Sequence, residues 1–204
     1  EMILDLPAPT AMTVLLNILP AHDANLRTPD QLIVEPASDV HHFIDTFGNR
    51  CARVVAPAGH VRFYNDTIVE HSGTFEPEFP DARQHPIEEL PTECLQFLLP
   101  SRYCEVDRLG VVSEELFGHL PPGWGRVQAI CDWVNQNITF GYEYARNTKS
   151  AYEVYQERKG VCRDFTHLAI TFCRLMNVPA RYATGYLGDI GIPPTDTPMD
   201  FSAC

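Results

Sequence analysis

The feature that most constrains this chain is a change of hydrophobic period across the proline- and charge-rich stretch TFEPEFPDARQHPIEELP, residues 74 to 91. Before it, short apolar runs (AMTVLLNIL, DQLIVEP, HHFIDTFGNRCARVVAP, GHVRFYNDTIVEHSG) alternate with turn formers, the pattern of short antiparallel strands. FGN at 47 to 49 and APAG at 56 to 59 read as turns, and Asn65-Asp66 inside HVRFYNDTIVEH reads as the turn of a hairpin. After it, apolar residues recur at helical spacing. Proline and dense charge disfavour regular structure, so the stretch itself reads as a linker with a boundary near 76 to 91. The expectation is an α+β chain. An amino-terminal antiparallel β-sandwich spans 1–85, a junction 86–110, and a helical core with a late strand 111–204.

Three helices are legible in the second part. In GWGRVQAICDWVNQNI, Val127, Ile130, Cys131 and Val134 form one stripe, which predicts Cys131 as a small core residue. SAYEVYQERKG predicts a helix capped by Ser150, with Lys159 in its last turn and Gly160 as its stop. The third begins at or near Cys162, with Phe165, Leu168, Ala169, Phe172, Leu175 and Met176 inward, and ends at Asn177 and Pro179. ARYATGYLG then reads as a strand.

Charge and cysteine usage narrow the function. With 15 Lys+Arg against 27 Asp+Glu the net charge is −12, which repels phosphate backbones and argues against nucleic acid. No run approaches a membrane span and no secretory leader is visible, although the chain begins at Glu1 and so leaves open a removed leader. The seven cysteines form no CxxC pair, and the Cys162 to His167 spacing matches no usual zinc pattern. Reduced thiols, a cytoplasmic location, no membrane partner, no metal and no cofactor are the expectations.

In KGVCRDFT, residues 159 to 166, a cysteine stands behind a glycine and ahead of the amphipathic run. A helix start favours a thiolate through free backbone N–H groups and the positive end of the macrodipole. Gly160 would leave room for a substrate backbone in a cleft. His167 lies about 140° around the helix from Cys162, so it is not the base, and it reads as a flanking histidine with a local hydrogen bond. Cys173 returns to the Cys162 face about 16 Å along the axis and reads as core. Asp164 reads as a first-turn charge favouring the dipole, opposing thiolate formation, with Arg163 able to offset it. On these residues alone, Cys162 is either a reactive thiol or a helix-start core residue.

The run GVCRDFTHLAITFCRLMNVPARYATGYLG resembles the catalytic segment of the transglutaminase-like superfamily. The chain looks most like the bacterial transglutaminase-like cysteine peptidases, with DTFGNRCARVVAPAG echoing their amino-terminal domain. LLPSRYCEVDRLG and WGRVQAICDWVNQNITFGYEY echo their domain junction. The resemblance implies a papain-like core, Cys162 as nucleophile, a thioester intermediate, and hydrolysis or amine transfer on a protein or peptide amide. It also implies a histidine in a segment like DFHAWFE, where this chain has DFSAC. Ser202 stands at the histidine position and Cys204 at that of the tryptophan, and the family's aspartate strand would lie beyond residue 204. Serine cannot replace imidazole as acid and base near neutral pH. Three readings stay open: part of a longer enzyme, inert as these 204 residues; a silent binding or scaffold module; and a redox-sensing thiol. His41, His42 and His60 belong to the first part of the chain. Tyr186 and the loop GDIGIPPTDTPMD could border a cleft.

Overall fold

The computed structural model describes residues 1–70, 72–74, 77–185 and 202–203. It divides into two compact units, Glu1–Glu76 and Pro77–Cys204.

Among the described residues the first unit holds six strands: β1 (Met2–Leu6), β2 (Thr10–Val14), β3 (Ile33–Glu35), β4 (Val40–Ile44), β5 (Arg50–Ala56) and β6 (Gly59–Tyr64). They form two three-stranded antiparallel sheets, ordered β1-β6-β3 and β2-β5-β4. Alternation puts Ala52, Val54 and Ala56 of β5 and Val61 and Phe63 of β6 on inner faces, and both sheets feed one apolar cluster with Val14 and Val34. The FGN turn forms as expected. Gly48 takes φ +84, and the Asp45 carboxylate accepts from the Phe47 and Asn49 amides at 2.8 and 2.9 Å, closing the β4–β5 hairpin.

The expected hairpin at Asn65-Asp66 does not form. β6 ends at Tyr64, and the following residues run beside 25–30 instead: Arg27 N–H donates to Ile68 O, Glu70 N–H to Asn25 O, and Ile68 N–H to Thr28 Oγ1. Asn65 turns inward, its amide donating to Leu16 O and to Asp30. A half-buried polar anchor outweighed the strand propensity of TIVE.

In the second unit, 3₁₀ turns at Ile87–Glu89 and Thr92–Leu98 lead to four helices among the described residues. These are α1 (Gly110–Phe117), α2 (Trp124–Asn137), α3 (Ala151–Glu157) and α4 (Cys162–Leu175). Short strands β7 (Thr139–Phe140) and β8 (Lys159–Gly160) pair in parallel, and β9 (Thr184–Gly185) pairs antiparallel with β10 (Ser202–Ala203). The junction residues pack within this unit: Ala180 N–H donates to Phe97 O, and the Arg174 guanidinium to Leu99 O at 2.7 Å.

Leu168 and Phe172 of α4 are fully buried, and the core closes round them with Ile130 and Val134 of α2, Val154 of α3 and Phe117 of α1. Phe117, Trp133 and Tyr155 ring Phe172 with edge contacts at 5.2 to 6.3 Å. Two sequence expectations are corrected here. On α2 the buried row is Arg126, Ile130, Val134 with Ile138 just beyond, a spacing of four, and Cys131 lies 100° off that row and is exposed. Secondly, α3 ends at Arg158, which takes the left-handed conformation (φ +56), leaving Lys159 and Gly160 free to form β8. Ser150 caps α3 as expected, in a capping box with Glu153.

Candidate functional site

The turn that leads into Cys162 is held from two sides. Before it, β8 pairs Lys159 with Thr139 and Gly160 with Phe140, and Gly141 N–H donates to Gly160 O at 3.1 Å. After it, α4 begins at Cys162, which is half-buried. Thr166 Oγ1 returns a hydrogen bond to the Cys162 carbonyl at 3.0 Å.

Asp164 is completely buried, and its role is more local than a dipole charge. Oδ2 accepts the Val161 N–H at 3.0 Å, capping the helix, while Oδ1 accepts from Arg163 Nη2 at 3.0 Å. Gly160 is explained by the same side chain. A Cβ at 160 would sit 2.7 Å from both Cβ and Oδ2 of Asp164, so the space beside this glycine is filled by the cap.

The segment before α3 is clamped to this turn by charge. Lys149, 1 % exposed, donates to Lys159 O at 3.1 Å and pairs with Glu157 at 3.0 Å. Arg146 pairs with Glu153 and Glu157, and its carbonyl accepts from Arg163. The partner charges hold both glutamate carboxyls below their usual range, led by the Ser150 amide for Glu153 and by Lys149 for Glu157. Buried Lys149 is thus paired and hydrogen-bonded, the condition for keeping an ammonium inside.

One helical turn along, His167 is 8 % exposed and stacked on Tyr103, with ring centroids 5.0 Å apart and planes 8° apart. Tyr182 approaches its ring at 5.2 Å. The expected local hydrogen bond of this side chain is not found at Nδ1, which is buried without a partner among the described residues. Burial, reinforced by Arg163, depresses the imidazole to about 4, so His167 is neutral at physiological pH. Burial also raises the Tyr182 hydroxyl, and the negative charge of an ionised Cys162 adds to that, which places Tyr182 within electrostatic reach of the sulfur. Sequence reasoning missed Tyr182 and Tyr103. Tyr182 lies in the ARY run just after α4, and that position was the signal that could have found it.

Ser202 lies on β10, with Ser202 opposite Gly185 and Ala203 opposite Thr184 of β9. The strand that follows α4 and the strand carrying Ser202 are therefore direct neighbours, and β10 lies close to α4. Tyr186, Asp200 and Cys204 fall outside the described residues, as does the loop before Asp200. Among the described residues, no helix is long and apolar enough to cross a membrane.

Comparison with known proteins bears on this arrangement. Residues 112–197 match the model of the transglutaminase-like superfamily, a span that includes Cys162 and α4. A solved structure from Cytophaga hutchinsonii, described as a "putative cysteine protease", superposes with a TM-score of 0.72 at 28% identity, covering 99% of this chain and 68% of that one. An uncharacterized protein of Mycobacterium leprae is 28% identical over 93 residues, 45% of this chain, which spans only 33% of that relative's length. A cysteine opening the buried helix, a strand pair beside that helix and the match over 112–197 agree: this part of the chain is similar to the core of the transglutaminase-like superfamily.

Proposed function

We propose that Cys162 is the nucleophile of a transglutaminase-like cysteine peptidase or amidase acting on protein or peptide amides, in a protein whose catalytic base is not supplied by position 202. The observation that carries this reading is the half-buried Cys162 at the first position of α4. Its turn is fixed by Asp164 and by the Lys149 and Arg163 bonds. The Cytophaga hutchinsonii neighbour, described as a "putative cysteine protease", adds support for the reaction class.

In such a reaction Sγ attacks the amide carbon, the C–N bond breaks, and the nitrogen departs with a proton as an amine. Water or a second amine then cleaves the thioester and frees the thiol. Two proton transfers are required, one from the thiol and one to the leaving nitrogen. Ser202 can serve neither near neutral pH. His167 is turned about 140° away on the same helix and is engaged between two tyrosines.

Ser202 also favours a second reading, a binding module that keeps the fold without the chemistry. Amide hydrolysis and amine incorporation, measured on residues 1–204, on the Cys162→Ala variant and on the full-length natural protein, separate the two. The enzyme reading expects turnover by the full-length protein that depends on Cys162, with at least a thousandfold less from residues 1–204. Absence of Cys162-dependent turnover in the full-length protein would favour the silent module. Robust turnover by residues 1–204 would show that a base lies among the residues present.

A further inference from the structure

The N-terminus of α2 faces a cavity of about 450 Å³ that the Cys162 chemistry does not use. Arg126 lines it together with Leu120, Pro121, Pro122 and Trp124. The wall from residues 80–83 is fixed by Trp124 N–H donating to Ala82 O at 3.0 Å. That approach needs Gly123, whose φ is +144 and where a Cβ would meet Ala82 O at 2.8 Å.

Arg126 is 9 % exposed. One of its terminal nitrogens donates to Leu120 O, but its Nε–H is buried with no partner among the described residues. Among those residues it also forms no ion pair. Asp81 lines the cavity but is exposed, and it lies beyond ion-pair distance of Arg126. A buried guanidinium without an anion is strongly unfavourable. The helix adds to the imbalance, because α2 carries no acidic residue in its first turn and presents the positive end of its dipole there. Two positive features thus converge on a space large enough for a small ligand.

We infer that this cavity binds a monoanionic carboxylate carried on an apolar body, such as a free aromatic acid or the carboxyl end of a peptide. The carboxylate would accept from Arg126 Nη1, the terminal nitrogen not bonded to Leu120, and the apolar body would rest on Trp124, which is 38 % exposed, and on the proline pair. Arg83 also lines the cavity but is paired with Glu89, so the one uncompensated cation among its described lining residues, Arg126, suits a monoanionic carboxylate better than a phosphate dianion. Asp81 on the rim further disfavours a dianion.

Ligand-observed NMR on the full chain tests this with N-acetyl-L-phenylalanine, its primary amide and inorganic phosphate. The acid should bind about tenfold or more tightly than the amide, the effect of one charge-assisted hydrogen bond. The dipeptide Ala-Phe, compared with the acetylated acid, distinguishes a peptide terminus from a free acid by which binds more tightly. Arg126→Met should lose the preference for acid over amide, Trp124→Leu should weaken both several-fold, and Cys162→Ala should change neither. Equal binding of acid and amide, unchanged preference in a folded Arg126→Met protein, phosphate displacing the acid at equal concentration, or no binding at millimolar concentration would each overturn the inference. If Arg126→Met fails to fold, the acid–amide comparison on the unaltered protein decides it.

Discussion

Gly160→Ala should destabilise the second unit although the position has no special backbone conformation. Its φ lies outside the left-handed region, so alanine is allowed there and would ordinarily gain about 0.4–1 kcal/mol by restricting the unfolded chain. The cost is steric. The new methyl would stand 2.7 Å from Cβ and Oδ2 of Asp164, about 1 Å inside ordinary carbon contact. Asp164 cannot yield freely, because it is wholly buried and bonded to Val161 N–H and Arg163. Either the cap rotates away and leaves a buried N–H unpaired, about 1–3 kcal/mol, or the backbone shifts at a similar overpacking cost. The net expectation is a loss of about 2 kcal/mol, or roughly 8 °C in Tm for a unit of this size. Both tryptophans, Trp124 and Trp133, lie in the second unit, so urea unfolding followed by tryptophan fluorescence reads that unit directly. Gly110→Ala is the matched control. A Cβ there meets nothing within 4 Å at the start of α1, and the change should be neutral or stabilising by up to about 1 kcal/mol. Equal stability of the two variants would refute the argument that Asp164 is what requires Gly160.

His167 should make the fold acid-sensitive: its imidazole titrates at about 4 when folded against an ordinary 6.5, so the unfolded chain takes the proton first. Stability is then full above pH 6.5 and declines as pH falls toward 4, by about 2 kcal/mol at pH 5, and His167→Phe should flatten the urea-midpoint profile between pH 7.5 and 5 by that amount. A slope unchanged by the substitution would contradict the burial of a neutral ring. With iodoacetamide at pH 7, Cys162 should label first and the exposed Cys131 more slowly, since desolvation and Asp132 raise its thiol. Cys173, buried and pushed up to about 12, should label only on unfolding, and peptide mapping that finds it modified at the rate of Cys162 would contradict the assignment.

The parts of this fold that were legible in the sequence are those governed by local rules. Short apolar runs between turn formers gave antiparallel sheets, the FGN turn closed where its glycine stood, and Ser150 announced the start of α3. The α4 boundaries followed equally from its apolar face and from Asn177, which takes φ +59 at the helix end. What escaped depended on partners distant in sequence. Nothing near Asn65 indicates that its amide will be drawn inward by Leu16 and Asp30, so the hairpin reading had no local competitor. On α2, Val127 and Cys131 fit a helical stripe as well as Arg126 does not, yet the packed row includes the arginine and leaves the cysteine in solvent. Periodicity assigns an arginine outward because it cannot see the carbonyl of Leu120 waiting for it.

The candidate site divides along the same line. The place of Cys162 at the start of α4 was readable because a glycine, a cysteine and an apolar helix face adjoin in sequence, and the helix wheel separates His167 from it by about 140°. The supports were not readable. Lys149 looks like any surface lysine until β8 places the Lys159 carbonyl beside it, and Gly160 looked like an opening for substrate until Asp164 filled the space. Tyr103, far ahead of α4 in sequence, stacks on His167 only because the junction packs back on the helix. A nucleophile can thus be proposed from three adjacent residues, whereas the turn that presents Cys162 is built from segments 100–105, 146–164 and 182, and the proposed chemistry would need a proton acceptor that a serine at 202 cannot be.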